Sequence, residues 1–431
     1  MMDLAPLDGL LLDHRTKGIP GGTPPFPLGA IGVKQWNVLR EDMTLPVAVL
    51  KDLALAHNGA WMRRFLDASG AAIAPHGKTT MSPQLFARQL ADGAWAMTLA
   101  TIQQVQVARD FGVDRIVLAN QLVGRQAIRY VVSELKRDPG FEFYCLVDAA
   151  ANVAALAAAA REAGLDRPLQ VLLEGGYPGG RTGCRDLEAA LDVARAVKQA
   201  APVLALRGVE GFEGLFHGAT TAETAGQVAR FLDFLVEIAI TASQQDLFAP
   251  GRLLLSAGGS AFYDMVAKRF AAAGIDREVM VLTRSGCYLT HDSVLYREAF
   301  ADLVARSPEL AQLGPGLQPA LEVWAYVQSR PEPGKVLLTM GKRDVSYDEL
   351  PVPLSWCRPG DARPRVIDDG HVVTGLNDQH CHMTVPAGSP LRVGDMVGFG
   401  VSHPCLTFDK WPVLYIVDDD YTVTGAVRTF F

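Results

Sequence analysis

The chain has 431 residues, 49% of them hydrophobic and 8% aromatic, which is material for a large core and length enough for two domains. A formal net charge of −7 without any basic stripe argues against nucleic acid or an anionic membrane as partner. No apolar run reaches the roughly 18 residues of a membrane span, and Met1-Met2-Asp3-Leu4-Ala5-Pro6 lacks the charged-then-apolar pattern of a secretion signal.

Residues 1–45 are rich in Gly and Pro, carry no clear helix, and are expected to pack with the β domain at the other end of the chain. Between residues 46 and 314, short β-branched runs alternate with Ala/Leu-rich stretches of helical spacing. The strand-like runs are Ala71–His76, Ala94–Ala100, Arg115–Asn120, Phe141–Asp148, Leu169–Glu174, Ala205–Phe212, Arg252–Ala257 and Val279–Arg284. Helical spacing separates them, as in Ile102–Phe111, Arg125–Lys136, Asn152–Ala163, Leu187–Ala200, Thr221–Ala242 and Ala261–Ala273. Eight such units are the arithmetic of a (β/α)8 barrel, with a doubly wound open sheet as the competing reading. From 315 to 431 the helical runs stop. Leu321–Ser329, Lys335–Met340, His371–Leu376, His380–Val385, Asp395–Gly400 and Val413–Val417 alternate between Gly, Pro and Asp, an all-β signature. The six cysteines, at 145, 184, 287, 357, 381 and 405, follow no framework spacing and read as thiols of a reducing, cytoplasmic compartment.

The first barrel run ends in Ala74-Pro75-His76-Gly77-Lys78-Thr79-Thr80, so Lys78 falls just past a strand's C-terminal end, on the face where barrels build active sites. A desolvated lysine there is a Schiff-base former; an ordinary solvated loop lysine is the plainer alternative. The seventh run ends in Leu255-Ser256-Ala257-Gly258-Gly259-Ser260, where backbone N–H groups and a helix N-terminus suit an anion. Thr283-Arg284-Ser285-Gly286-Cys287-Tyr288 follows the eighth, and barrels commonly seat a phosphate between these two loops.

Pro75-His76-Gly77-Lys78-Thr79 resembles the Pro-His-x-Lys-Thr segment of the D-threonine aldolase and D-serine dehydratase family, in which the lysine carries pyridoxal phosphate. The likeness spans most of the chain and implies an alanine-racemase-like barrel with a C-terminal β domain. Arg181-Thr182-Gly183 is similar to the family's Arg-x-Gly, whose arginine contacts the cofactor's phenolic oxygen. Gly258-Gly259-Ser260 resembles its Gly-Gly-Thr phosphate loop, and Arg284-Ser285-Gly286-Cys287-Tyr288 its Arg-Pro-Gly-x-Tyr. The resemblance thus implies cofactor contacts from Lys78, Arg181, Ser256, Gly258, Gly259, Ser260, Gly286 and Tyr288. Asp378-Gln379-His380 resembles Glu-Glu-His, and Ser402-His403-Pro404-Cys405-Leu406-Thr407 resembles the dehydratases' zinc-ligating Asn-His-x-Cys-x-Thr. Thr80 and Ser285 depart from the family's usual His and Pro.

In an extended segment His403 and Cys405 point to one face and can share a zinc or other divalent ion; a packed His and a buried Cys are the alternative. His380 or His382 could be a third ligand or a catalytic group. His217, after the sixth run, could pack on a cofactor ring or act on a substrate hydroxyl, or be a simple loop histidine. Asn120 and Gln121 point at the same mouth without an assigned role. The expected activity is a pyridoxal-phosphate- and metal-dependent lyase that dehydrates D-amino acids with a β-hydroxyl, of the D-serine type, to keto acid and ammonia. Retro-aldol cleavage to glycine and an aldehyde, and a non-catalytic pyridoxal-phosphate carrier, are its rivals. A homodimer with each site at the subunit interface is also expected, from the resemblance and because symmetric pairs are the commonest oligomers.

Overall fold

A computed structural model describes residues 2–431. Its strands in chain order begin with β1 (Leu11–Leu12) and β2 (Phe26–Pro27), which pair antiparallel, and β3 (Val47–Lys51). The barrel strands are β4 (Ala72–Ile73), β5 (Met97–Leu99), β6 (Arg115–Gln121), β7 (Glu142–Val147), β8 (Leu169–Gly175), β9 (Leu204–Gly211), β10 (Leu253–Ala257) and β11 (Val279–Thr283). All eight expected runs form strands. They lie in one parallel sheet of order β4-β11-β10-β9-β8-β7-β6-β5. Its two ends meet: the Trp95 N–H donates to the Ile73 carbonyl at 2.8 Å and the Thr98 N–H to the Pro75 carbonyl at 2.9 Å, with His76 opposite Thr98. That closure decides for the barrel over the open sheet.

Helices follow the strands, among them Ile102–Asp110, Leu187–Gln199 and Thr221–Gln244. Each of these three starts where a side chain, of Thr101, Asp186 or Thr220, accepts the N–H three residues on. Such caps satisfy orphan donors and place the helix starts close behind the mouth loops.

The remaining strands are β12 (Leu321–Glu332), β13 (Lys335–Leu338), β14 (Val352–Cys357), β15 (Arg365–Val366), β16 (Val372–Leu376), β17 (Cys381–Thr384), β18 (Met396–Gly400), β19 (Val413–Val417) and β20 (Val423–Arg428). Their order is β15-β14-β18-β12-β13-β17-β16, with β3 lying antiparallel to β12 and parallel to β19. The chain therefore begins in the β region, enters the barrel through helix Asp52–Ser69 and returns. Leu12, Ile19, Phe26, Leu28, Ile31 and Val38 share a buried cluster with Trp324, Tyr415 and Val423, so the N-terminal segment packs on that sheet. A second, larger cluster runs from barrel residues such as Leu255 and Phe143 into Val323 and Phe399 without a break, and it fixes the β region against the barrel. Among the described residues no helix is long and apolar enough to cross a membrane.

Candidate functional site

Period-two alternation sets what the barrel presents at its mouth. Ala74, Ala96, Leu146, Leu172, Leu254 and Leu282 fill the barrel interior. The residues two positions on, His76, Thr98, Asp148, Glu174, Ser256 and Arg284, therefore turn inward at the C-terminal ends. Glu210 joins them, since Gly208 lies in register with Leu254. Arg284 forms a buried ion pair with Glu210, at 3% and 0% side-chain exposure, and also donates to the Gly211 carbonyl at 3.2 Å. Glu174 accepts from the Thr182 hydroxyl at 2.8 Å and from the Gln121 amide. Burial pushes its carboxyl above the ordinary range.

Lys78 lies on the turn Gly77–Thr79 that follows β4, exposed to solvent at the mouth. Gly77 is required there, because a Cβ would stand 2.8 Å from Phe86 and 2.9 Å from Leu99. The neighbouring His76 is held neutral, first by burial and then by the charges of Lys78 and Arg284. Gly286 presses on the same turn: a Cβ would meet the His76 carbonyl and, at 2.8 Å, the Thr79 hydroxyl oxygen. Ser285, where the family's usual residue is proline, donates its hydroxyl to the Gly259 carbonyl at 3.1 Å and ties the two expected phosphate loops together.

The Gly258 and Gly259 N–H groups donate to one carboxylate, Glu213, at 3.1 and 2.6 Å. Glu213 is fully buried and its carboxyl is pushed up by that burial. The two loop amides thus converge on carboxyl oxygens in the way a phosphate oxygen would be held. Around it, the buried Ser256 Oγ, His76 Nδ1, Arg284 Nε and Glu210 Oε2 have no hydrogen-bond partner among the described residues. Four such atoms on one mouth mark a place completed by a polar ligand. Arg181 stacks its guanidinium 4.4 Å from the Phe212 ring and lines a small cavity with Glu174 and Thr182. A strand-end lysine, an anion loop and a flanking arginine fit pyridoxal phosphate.

Tyr288 and His217 lie on the loops that follow β11 and β9. Tyr288 is buried and lines a small cavity with Ser260, Cys287 and His291. His217 is exposed in the loop after β9, where its neighbour Phe216 packs on Tyr177 and Phe231.

From the β region comes a second cluster. The expected extended run at 402–407 is instead a helical turn, Cys405–Phe408, because Pro404 takes φ −57° and ψ −45°. His403 and Cys405 flank Pro404 on this turn, and the imidazole and the thiol perturb one another electrostatically. The His403 ring Nδ1 bonds to Asp348 at 2.6 Å, the carboxylate partner that metal-binding imidazoles usually have. The Cys405 sulfur stands 3.5 Å from the Thr79 hydroxyl and 3.8 Å from the Cys287 sulfur. Hydrogen bonding from Cys287 holds the Cys405 thiol well below its ordinary range, and His403 adds to this. His403 is raised to about 9, chiefly by its interaction with Cys405. Thiol and imidazole are zinc-type donors, and Thr79 sets them one residue from Lys78. Among the described residues no three of His, Cys, Asp and Glu are gathered closely enough to form a ready-made metal site. His382 is held away by Asn377, 2.7 Å from its ring, and His380 is exposed.

Residues 320–417 match the model of the putative serine dehydratase domain. A D-threonine aldolase of Arthrobacter sp is 24% identical over 361 residues, 83% of this chain and 85% of that protein. The chain is thus similar to the D-serine dehydratase/D-threonine aldolase family, most specifically over residues 320–417. Within it, the D-threonine aldolase structure from Filomicrobium marinum superposes with TM-score 0.73 at 22% identity, covering 90% of this chain and 95% of that one. D-threo-3-hydroxyaspartate dehydratase from Delftia sp. HT23 gives TM-score 0.70 at 22% identity, covering 92% and 99%. That dehydratase also exists as a histidine-to-alanine variant and as a cysteine-to-alanine variant two residues further on, the latter described as metal-free.

The residues that sequence reasoning missed are Glu174, Glu210, Glu213, Asp348 and Cys287. Glu210 and Glu213 had a signal, as acidic residues punctuating an otherwise apolar strand end, Leu204–Gly211 and its continuation. Asp348 had none, since it reaches His403 from an irregular stretch 55 positions upstream.

Proposed function

We propose that this chain is a pyridoxal-phosphate- and metal-dependent lyase that dehydrates D-amino acids carrying a β-hydroxyl to a keto acid and ammonia. The observation that carries the reading is the approach of Cys405 to Thr79, which sets the His403–Cys405 donor pair beside the turn bearing Lys78. A related dehydratase whose cysteine-to-alanine variant, two residues after a separately replaced histidine, is described in a metal-free form supports the assignment of that pair.

Pyridoxal phosphate, when bound, supplies the electron sink that acidifies the substrate's α-hydrogen. A divalent ion supplies a Lewis acid for the departing β-oxygen. Lys78 would bear the cofactor and move the α-proton. The Gly258–Ser260 loop and Ser256 would hold the phosphate in place of the Glu213 carboxylate, and Arg181 would face the ring oxygen. His403 and Cys405 would hold the ion, with Asp348 fixing the imidazole so that its other nitrogen faces the metal. Neutral His76 beneath them keeps a further positive charge away from Lys78.

Likeness to D-threonine aldolases favours a second reading, retro-aldol cleavage to glycine and an aldehyde. Incubation with D-serine, D-threonine and D-threo-3-hydroxyaspartate separates the two. Dehydration yields keto acid and ammonia in equal amounts; glycine with an aldehyde establishes cleavage, and neither product leaves a cofactor carrier. A homodimer is part of the proposal, and light scattering at micromolar concentration showing a fully active monomer would refute it. A cytoplasmic location is also part of the proposal; it is supported by six unpaired cysteines, and six titratable thiols in the denatured, unreduced protein are expected.

A further inference from the structure

We infer that Cys287 is a third protein ligand of the metal proposed at His403 and Cys405, giving a Cys2His site with one position left for substrate. This rests on the metal reading above and goes one residue beyond it. Cys287 follows β11 at the barrel mouth and is 4% exposed, whereas Cys405 comes from the β region, yet their sulfurs stand 3.8 Å apart. Two thiolates, each about 2.3 Å from a tetrahedral ion, are separated by about 3.8 Å. The pair is already spaced as an edge of that tetrahedron, and a disulfide at about 2.05 Å would need the sulfurs to close in. The Thr79 hydroxyl lies 3.7 Å from the Cys287 sulfur as well as 3.5 Å from that of Cys405, and Tyr296 hydrogen-bonds Cys287. Both sulfurs thus lie within reach of the Thr79 hydroxyl, and the ion would displace the proton of Cys287, whose thiol the bond with Cys405 and burial otherwise keep protonated. His403, two residues from Cys405 and oriented by Asp348, supplies the nitrogen donor once the ion draws the three side chains together.

Two sulfur donors have a consequence for metal choice. Soft thiolates select zinc over magnesium and manganese, and three protein ligands plus one open position is the pattern of catalytic rather than structural zinc. The site would therefore retain zinc in the presence of excess magnesium or manganese.

X-ray absorption at the zinc edge of the purified full-length protein, loaded with zinc chloride, tests this. Two sulfur neighbours at about 2.3 Å are expected in the wild type and one in Cys287→Ser. The variant should also bind zinc at least about 100-fold more weakly, beyond the roughly 10- to 100-fold that loss of an outer-shell partner costs. Its cobalt(II) form should lose about half of the thiolate charge-transfer absorption, while Cys357→Ser loses none. A single sulfur neighbour in the wild type overturns the inference, whether or not the variant folds. So does an intact Cys287–Cys405 disulfide in the metal-loaded protein. If the wild type binds no zinc or cobalt at all, the His403–Cys405 metal reading itself falls, and the inference with it.

Discussion

At the barrel mouth Arg284 and Glu210 are 3% and 0% exposed and locked together, whereas His403 and Asp348, on the β region, are 27% and 35% exposed and hold each other at 2.6 Å. The barrel half of the site is part of the core. Its charges are paired internally, and removing one partner strands the other in a low dielectric. The β-region half sits at the solvent edge, where losing a partner costs little folding energy but loosens whatever the pair positions. One half is a fixed electrostatic frame, the other a more adjustable pair of side chains at the solvent edge.

The largest expected effect breaks the frame. Glu210→Gln, which leaves the Arg284 guanidinium buried without its counter-charge, should lower the unfolding free energy in urea by about 3–5 kcal/mol. His403→Ala should change it by no more than about 1 kcal/mol. Equal losses in the two variants would erase the distinction between the halves.

Asp348→Asn sharpens the comparison from the other side. The asparagine keeps the shape but not the charge that orients the His403 ring, so metal affinity should fall roughly 10- to 100-fold while stability stays nearly unchanged. Competition with a chromophoric chelator measures the first, and urea unfolding the second. Unchanged affinity would mean that the His403–Asp348 pair is an ordinary surface contact.

A smaller effect lies where the two halves meet, at His291 and Asp292. Burial lowers His291 to about 4 and raises Asp292 to about 6. The folded state therefore binds fewer protons than the unfolded state at His291, and stability from that residue rises with pH between about 4 and 6.5. Asp292 acts oppositely: folding favours its protonated form, so its contribution falls as pH rises from about 4 to about 6. In the wild type the two slopes largely cancel. His291→Gln should leave a stability that declines across that window, and Asp292→Asn one that climbs, by roughly 2 kcal/mol at pH 5 for the histidine. Parallel pH profiles in the two variants would contradict the opposite shifts.

The same contrast governs how much of the molecule could be read from its sequence. All eight barrel strands were legible because continuous β-branched runs between Ala-rich helices leave little choice of period, and the lysine turn and glycine loop follow from their ends. In the β region, Val352–Cys357 escaped notice because Pro353 interrupts its pattern, and β3 because it pairs with strands about 270 and 370 positions away. The backbone at His403 and Cys405 was not legible: two-residue spacing suggested an extended segment, and Pro404 made it a helical turn. The buried carboxylates went unread because their partners, Arg284 and the Gly258–Gly259 amides, lie on other strands and only the closed barrel brings them together.

The central claim is that the turn after β4 carries pyridoxal phosphate on Lys78, facing the metal donors of the β region. Borohydride reduction of protein purified with pyridoxal phosphate present, followed by digestion and mass spectrometry, tests it most directly. A pyridoxyl group on the peptide containing Lys78, absent from Lys78→Arg, is the predicted result. A pyridoxyl group on another lysine, such as Lys335 or Lys342, or no modification at all, would contradict it.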